Sequence, residues 1–313
     1  MTQNLIKFNF SNNNLRFHTT EISIIKFMKI LSFFALLTIT LSCSQTNDQF
    51  SILAPLPKNL KEASACEISK VSPLIWTIED QHNDNILFGF NEKGVLKKQI
   101  RITNVENNDW EDLTSDDEGN IYIGDFGNND NDRQNLAIYK INASDLDKDQ
   151  AEAASVIEFY YPEQKDFPPK KKDRIFDVES FFIYQNKFYL FTKNRSSKFD
   201  GTTILYEVDN NPHQKLPAKK IGSFVTCGQF NHCAVTSAAI SPGKDKVAIL
   251  SSDKVWIFTG WKGNQFLSGN AETIELNHHT QKEGLCFKDD NTILITDEGN
   301  KTHTGNLYQL KLN

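Results

Sequence analysis

Beyond residue 60 the chain repeats one hydropathic pattern. A small or apolar stretch leads into a turn of Asn, Asp, Gly or Pro, and a β-branched or aromatic stretch follows. That order is a hairpin signature. Four segments carry it without gaps. Glu111-Asp112-Leu113-Thr114 passes through Glu118-Gly119-Asn120 and ends at Ile121-Tyr122-Ile123-Gly124-Asp125. Glu179-Ser180-Phe181-Phe182 turns at Gln185-Asn186-Lys187 and ends at Tyr189-Leu190-Phe191-Thr192-Lys193. Ser237-Ala238-Ala239-Ile240 turns at Pro242-Gly243-Lys244 and ends at Ala248-Ile249-Leu250-Ser251. Glu283-Gly284-Leu285-Cys286 turns at Asp289-Asp290-Asn291 and ends at Ile293-Leu294-Ile295-Thr296-Asp297. First and last residues are 14 positions apart in every copy. A fifth, looser copy runs from Glu62 to Asp80 with an offset of 18.

More strand-like pieces trail the hairpins. Third strands are predicted at Ile86 to Phe90, Ala137 to Ile141, Thr203 to Val208, Val255 to Phe258 and Leu307 to Leu310. Val95 to Ile102, Ser155 to Tyr161 and Ile221 to Val225 read as fourth strands, and long capped helical patterns are absent after Cys43. Repeats of ~45 residues with four strands each are propeller blades. The fold class is therefore all-β, a β-propeller with five four-stranded blades. A six-bladed ring with one degenerate copy and a β-sandwich are the alternatives. The last blade has three strands before the chain ends, and Phe50 to Leu56 is placed to supply its fourth and remove a free sheet edge. Pro162 to Phe176, with three Pro and many charges, reads as an inserted loop.

In such a ring the first strand of each blade lines the central channel, so its start and the end of the second strand share one rim. The constant offset makes cross-strand neighbours of Glu62 and Asp80, Glu111 and Asp125, Glu179 and Lys193, and Glu283 and Asp297. Acid facing acid destabilises a sheet. Asp112 and Glu298 add further carboxylates. Raised carboxyl pKa values or a bound hard cation relieve such crowding. Calcium, which takes six to eight oxygen ligands in irregular arrangements, is the expected cofactor. Its candidate ligands are Glu62, Asp80, Glu111, Asp125, Glu179, Glu283 and Asp297. Glu111, Asp112 and Lys193 are the candidate catalytic residues, Lys193 pairing an anionic substrate. The alternative is structural: the acids accept loop amides, and Lys61, Lys193, Arg195 and Lys282 neutralise the rim. Gly124-Asp125-Phe126-Gly127-Asn128-Asn129, echoed by Thr296-Asp297-Glu298-Gly299-Asn300, flanks an acid with glycines, as a close backbone approach or a tight turn requires.

The N-terminus reads as an address. Met28 to Cys43 places Lys29 before an apolar run from Ile30 to Leu41 and then Leu41-Ser42-Cys43. That is the layout of a bacterial secretory signal. It resembles the lipoprotein type, in which the cysteine is lipidated; Thr40 departs from that motif. An uncleaved anchor is the alternative, although the run is shorter than the ~20 residues a span needs. Residues 1–27 are read as a dispensable or misassigned extension, 28–42 as the signal, 43–49 as a tether and 50–313 as the propeller. The expected location is the bacterial cell envelope, with the membrane as partner through Cys43.

Composition agrees with a packed core: 39% of the 313 residues are hydrophobic and 11% aromatic, including 23 Phe. A net charge of −6 disfavours nucleic acid as a partner. Lys170-Lys171-Lys172, beside Pro168-Pro169, reads as a solvated loop. Cys227 and Cys233 bracket a short loop and suit a disulfide. A zinc site with His232 lacks a fourth local ligand. Cys66 and Cys286 read as buried free thiols.

Trp110-Glu111-Asp112-Leu113 with Tyr122-Ile123-Gly124-Asp125-Phe126-Gly127-Asn128 resembles a bacterial group of secreted propeller-like proteins. Asp177-Val178-Glu179-Ser180 with Thr192-Lys193, and Glu283-Gly284-Leu285 with Asp297-Glu298-Gly299, fit the same pattern. More distantly the chain resembles phytase and gluconolactonase propellers. That resemblance implies channel-bound calcium or a similar ion and hydrolysis of phosphoesters or lactones. The Asn-rich metal motif of gluconolactonases is missing where Ser237-Ala238-Ala239-Ile240-Ser241-Pro242 stands, and no phytate-like basic cluster accompanies Lys193 and Arg195. Two functions are expected: binding or hydrolysis of a small anionic or polyol ligand at the acidic mouth, or a non-catalytic envelope module for protein, peptide or glycan. A purely structural subunit of a surface complex is a third reading. The seven His show no triad spacing, and Gly-rich phosphate loops are absent.

Overall fold

The computed structural model describes residues 49–300 and 302–313. The segments read as an N-terminal extension and a signal, and Cys43, lie outside these residues. The strands in chain order are β1 (Phe50–Pro55); β2 (Glu67–Ile68), β3 (Ile75–Thr77), β4 (Ile86–Phe90) and β5 (Leu96–Ile102) of blade 1; and β6 (Trp110–Ser115), β7 (Ile121–Asp125), β8 (Ala137–Ile141), β9 (Gln150–Ala151) and β10 (Ser155–Tyr160) around blade 2. Blade 3 contains β11 (Asp177–Tyr184), β12 (Lys187–Lys193), β13 (Thr202–Asp209) and β15 (Lys219–Val225), with β14 (Leu216–Pro217) between the last two in sequence. Blade 4 contains β16 (Ser237–Ile240), β17 (Lys246–Leu250), β18 (Lys254–Thr259) and β19 (Asn270–Glu275); β20 (Lys282–Asp289), β21 (Thr292–Asp297) and β22 (Asn306–Lys311) begin blade 5.

These strands form five sheets, each an antiparallel four-stranded meander. The short β9 and β14 join the outer edges of the preceding blades in parallel, β9 on β5 and β14 on β10. They belong to the blades before the ones in which they occur in sequence. β1 pairs antiparallel with β22, so the N-terminal strand completes the last blade, as the sequence predicts.

The inner strands pack in the cycle β2, β6, β11, β16, β20 and back to β2. Five apolar clusters fill the five interfaces between consecutive blades. Phe126, Phe159, Phe181, Phe188 and Tyr206 belong to the cluster between blades 2 and 3. A blade in a ring has neighbours on both faces, so inner strands are buried on both faces and read as continuous apolar runs rather than alternating ones. β7 is buried at every position. The outer strand β19 is exposed at all but one position, and for that reason it carries no apolar signature.

Inner strands of neighbouring blades do not share a ladder, so their free backbone groups need other partners. Side chains supply them. Asp112 accepts the Phe181 N–H at 3.2 Å, Thr114 Oγ1 the Ile183 N–H at 3.3 Å, and Ser237 Oγ the Leu285 N–H at 3.0 Å. Ser64 Oγ donates to the Glu111 carbonyl, and Thr296 Oγ1 to that of Ala65. The stretch from Pro162 to Phe176 is a loop with one short 3-10 turn at Lys171–Asp173. Cys227 and Cys233 are joined by a disulfide across a single helical turn, Phe230–Cys233.

Blades 1 and 5 approach closely at Gly284. A Cβ there would lie 2.4 Å from the Ala65 carbonyl carbon and 2.6 Å from the Cys66 nitrogen. Backbone atoms cannot rotate aside. Gly284→Ala is therefore expected to destabilise the protein by about 1–3 kcal/mol. Thermal melting checks this: the midpoint falls by several degrees, and an unchanged midpoint contradicts the packing.

Candidate functional site

Three inner strands carry a β-bulge at the same place, just inside the rim. In β6, Trp110 faces Asp125 and Asp112 faces Gly124, which leaves Glu111 as the extra residue. In β11, Val178 faces Thr192 and Ser180 faces Phe191, which leaves Glu179. In β20, Lys282 faces Asp297 and Gly284 faces Thr296, which leaves Glu283. A bulge re-aims the side chain of its extra residue. The face-to-face pairs expected from the constant offset are thereby shifted, by one residue in β6 and β20 and by two in β11: Trp110 stands opposite Asp125, Lys282 opposite Asp297 and Asp177 opposite Lys193. Glu62 remains next to Asp80, whose N–H reaches the Glu62 carbonyl at 3.4 Å.

The three bulge glutamates are buried, at 6%, 3% and 8% exposure for Glu111, Glu179 and Glu283. Glu179 is the paired one: Lys193 Nζ donates to it at 2.8 Å, and Arg195 donates at 2.6 Å both to Glu179 and to Asp177. Against burial, Lys193 and Arg195 hold Glu179 down at about 2. Glu283, Glu298 and Asp80 have no such ion pair among the described residues. Burial pushes Glu283 up to about 7, with Lys193 opposing and Glu179 adding to it. Burial, then Glu283 and Asp80, raises Glu298 to about 8. Asp80 reaches about 7 through burial and the charges of Glu62 and Asp109.

Asp109 and Glu111 form a second acid pair. Both lie against Gly127, where a Cβ would be 2.2 Å from Glu111 Oε1 and 2.5 Å from Asp109 Oδ2. Only glycine leaves that space. Asp109 Oδ1 is buried and has no hydrogen-bond partner. Burial, with Glu179 adding and Arg133 opposing, lifts Asp109 to about 6, and burial followed by Glu179 and Asp109 lifts Glu111 well above the ordinary carboxylate range. The neighbouring Gly124 admits the Phe126 ring, which a Cβ would meet at 2.2 Å. Each glycine of this motif thus has its own steric reason.

Blade 4 has no glutamate at the equivalent position and pairs without a bulge there, Ser237 facing Leu250. A cavity of about 300 Å³ lies there, lined by Lys193, Arg195, Phe230, Thr236, His279 and Glu283 among others. The Thr236 hydroxyl is buried without a partner. Arg195 packs over the Phe230 ring at 5.8 Å.

Other sequence-derived candidates are committed within the fold. Asp125 accepts from Asn108, from the Asp109 N–H, from Arg133 at 2.8 Å and from Tyr139 at 2.8 Å. Asp297 accepts from Tyr308 and from the Asn306 N–H. Asp112 accepts two backbone N–H groups, those of Leu113 and Phe181. The mouth therefore gathers Glu62, Asp80, Glu111, Glu179, Lys193 and Glu283, while Asp112, Asp125 and Asp297 turn into the blade walls. Sequence reasoning left out Asp109, Asp177 and Thr236. The signal for the first two was present: Asp109-Trp110-Glu111 and Asp177-Val178-Glu179 repeat an Asp-x-Glu pattern at matching positions. Among the described residues, no group of three or more His, Cys, Asp or Glu has the arrangement of a metal centre.

The sequence matches no protein-family model and none of the curated proteins. Its structure is distantly similar to solved propellers. A gluconolactonase from Xanthomonas campestris aligns at 9% identity and a TM-score of 0.45, over 84% of this chain and 89% of that one. A PQQ-bound aldose sugar dehydrogenase from Streptomyces coelicolor aligns at 7% and 0.49, over 84% and 97%. Virginiamycin B lyase from Staphylococcus aureus aligns at 12% and 0.39; the match takes in 80% of this chain and 66% of the lyase. At this distance the likeness concerns the fold alone.

The charge arrangement fixes a pH dependence. Asp80, Glu283 and Glu298 bind protons more tightly folded than unfolded. Their contribution is complete below about pH 4 and is lost as pH rises through about 7 to 8. Glu179 has the opposite sign: its contribution holds above its unfolded value of 4.5 and disappears toward pH 2. In a chelator, the melting temperature should peak near pH 5, fall by several degrees by pH 8, and fall again in strong acid. A midpoint that rises from pH 5 to pH 8 contradicts this balance.

Proposed function

We propose that the protein is an envelope-anchored propeller that binds a small anionic or polyhydroxylated molecule at its acidic mouth, with calcium on the Asp109–Glu111 pair. The buried Asp109 carboxyl, which lies with Glu111 against Gly127 and whose Oδ1 has no hydrogen-bond partner, carries this reading. Two adjacent carboxylates in a dry site either share a proton or bind a cation. Calcium accepts irregular oxygen shells completed by water or ligand oxygens. Bound there, it would act as a Lewis acid and template. Glu283 faces the same mouth.

The ligand would occupy the cleft over blade 4. Lys193 and Arg195 present positive charge to an anionic group, Thr236 offers an unused hydroxyl, and Phe230 offers an aromatic face. Polar groups beside one aromatic wall in a small cavity suit a sugar acid, lactone or phosphate ester better than an apolar ligand. Hydrolysis is the second reading. It rests on Asp109 and Glu111 both being raised toward neutrality, where one can hold a proton while the other accepts one from water. Export and lipidation at Cys43 are supported by the signal-like segment and by the Cys227–Cys233 disulfide, which fits an oxidising compartment.

Calcium titration at pH 8, followed by thermal melting, tests the reading. Wild type is expected to gain several degrees at millimolar calcium, because an ion that binds only the native state stabilises it. Glu111→Gln is expected to lose that gain and, in chelator, to melt no lower than wild type, since one repelling charge is gone. No response in wild type, or the same response in both proteins, rejects the calcium site. Calorimetry with sugar acids, lactones and phosphate esters tests the cleft: binding that Lys193→Met weakens tenfold or more supports it, and binding unaffected by that change places the ligand elsewhere.

A further inference from the structure

We propose that Cys66 and Cys286 form a disulfide that closes the propeller ring covalently from the inside. Cys286 lies in β20 of the last blade, and Cys66 immediately precedes β2 of the first. The two are 220 residues apart in sequence, yet their sulfurs are 3.1 Å apart. A disulfide bond is about 2.05 Å long, so a shift of roughly one ångström joins them. The backbones already meet at this seam. Gly284 packs on Ala65 and Cys66, and Thr296 bonds to the Ala65 carbonyl. The non-covalent clasp of the same blade, β1 on β22, is at the outer edge. The thiol pair is its counterpart at the inner edge, where nothing covalent holds the first blade to the last.

Both cysteines are buried, at 0% and 1% exposure. Burial also raises the Cys286 thiol well above its ordinary value, so the assembled ring protects the pair from attack. Bond formation therefore belongs to ring closure, while the seam is still open to solvent. The oxidant is a small-molecule or protein disulfide. The thiolate of one cysteine attacks it, its S–S bond breaks, and one thiol leaves. The second cysteine attacks the mixed disulfide and expels the other thiol. Two protein thiols become one disulfide, and one disulfide is reduced to two thiols. The pair is separate from the acidic mouth and does not depend on the ligand reading.

The full chain, unfolded and reduced, is refolded in a glutathione redox buffer and in parallel with dithiothreitol. Free thiols are then alkylated in denaturant, and the chain is mapped without reduction. The expected result in the redox buffer is a Cys66–Cys286 peptide alongside a Cys227–Cys233 peptide. The Cys227–Cys233 link is the internal control for oxidising conditions. Closing so long a loop should raise the melting temperature by on the order of 10 °C over the dithiothreitol form. The Cys66→Ser, Cys286→Ser double variant should not show the part of that gain due to this bond. The peptide map needs no variant, so a serine protein that fails to fold leaves the test intact. Alkylated Cys66 and Cys286 beside a linked Cys227–Cys233, or either of the two paired with another cysteine, overturns the proposal.

Discussion

Each blade is sandwiched between two others, and that constraint governs the remaining structure. A sheet apolar on both faces needs a partner on each side, and only a closed ring gives every blade two. The five interblade clusters are the result. Closure forces five inner strands to converge, although none of them is hydrogen-bonded into its neighbour's sheet. The Ser, Thr and Asp clasps between them, and the close approach at Gly284, follow from that convergence.

Convergence also brings charges together. Glu111, Glu179 and Glu283 are far apart in sequence, yet each is the extra residue of a bulge at the same point of its strand. Without the bulge, the alternation of a strand would fix the side chain's direction. With it, three carboxyls are re-aimed beside one opening. Two cations serve one of them: Lys193 and Arg195 both bond to Glu179, leaving Glu111 and Glu283 with raised proton affinities. That uneven neutralisation makes the mouth responsive to protons. Blade 4 lacks the equivalent acid, and a cavity of about 300 Å³ lies beside its inner strand.

Much of the architecture was legible in the sequence, because hairpin periodicity records burial directly. The repeated unit, the five blades and the closing role of Phe50 onward could all be read from apolar runs and turn residues. β19 escaped because an outer strand can be polar throughout, and β9 and β14 because two-residue additions have no period. The acids at the rim were legible as residues, but their pairing was not. A bulge changes register by one without changing the length of the hairpin, so the constant 14-residue offset hid it. Asp125 and Asp297 drew attention as rim acids, yet tyrosines on the next strands, Tyr139 and Tyr308, bind them within their own blades. Those partners lie on third strands, and their spacing from the acids differs between the blades.

The most direct test is a carboxyl-carbon NMR titration of the metal-free protein, resolved for the bulge glutamates. If the bulges gather them at one mouth with the cations on Glu179, Glu283 titrates near 7 and Glu111 well above 4.5, while Glu179 stays ionised to about pH 2. Three glutamates titrating together near 4.5 would contradict that arrangement.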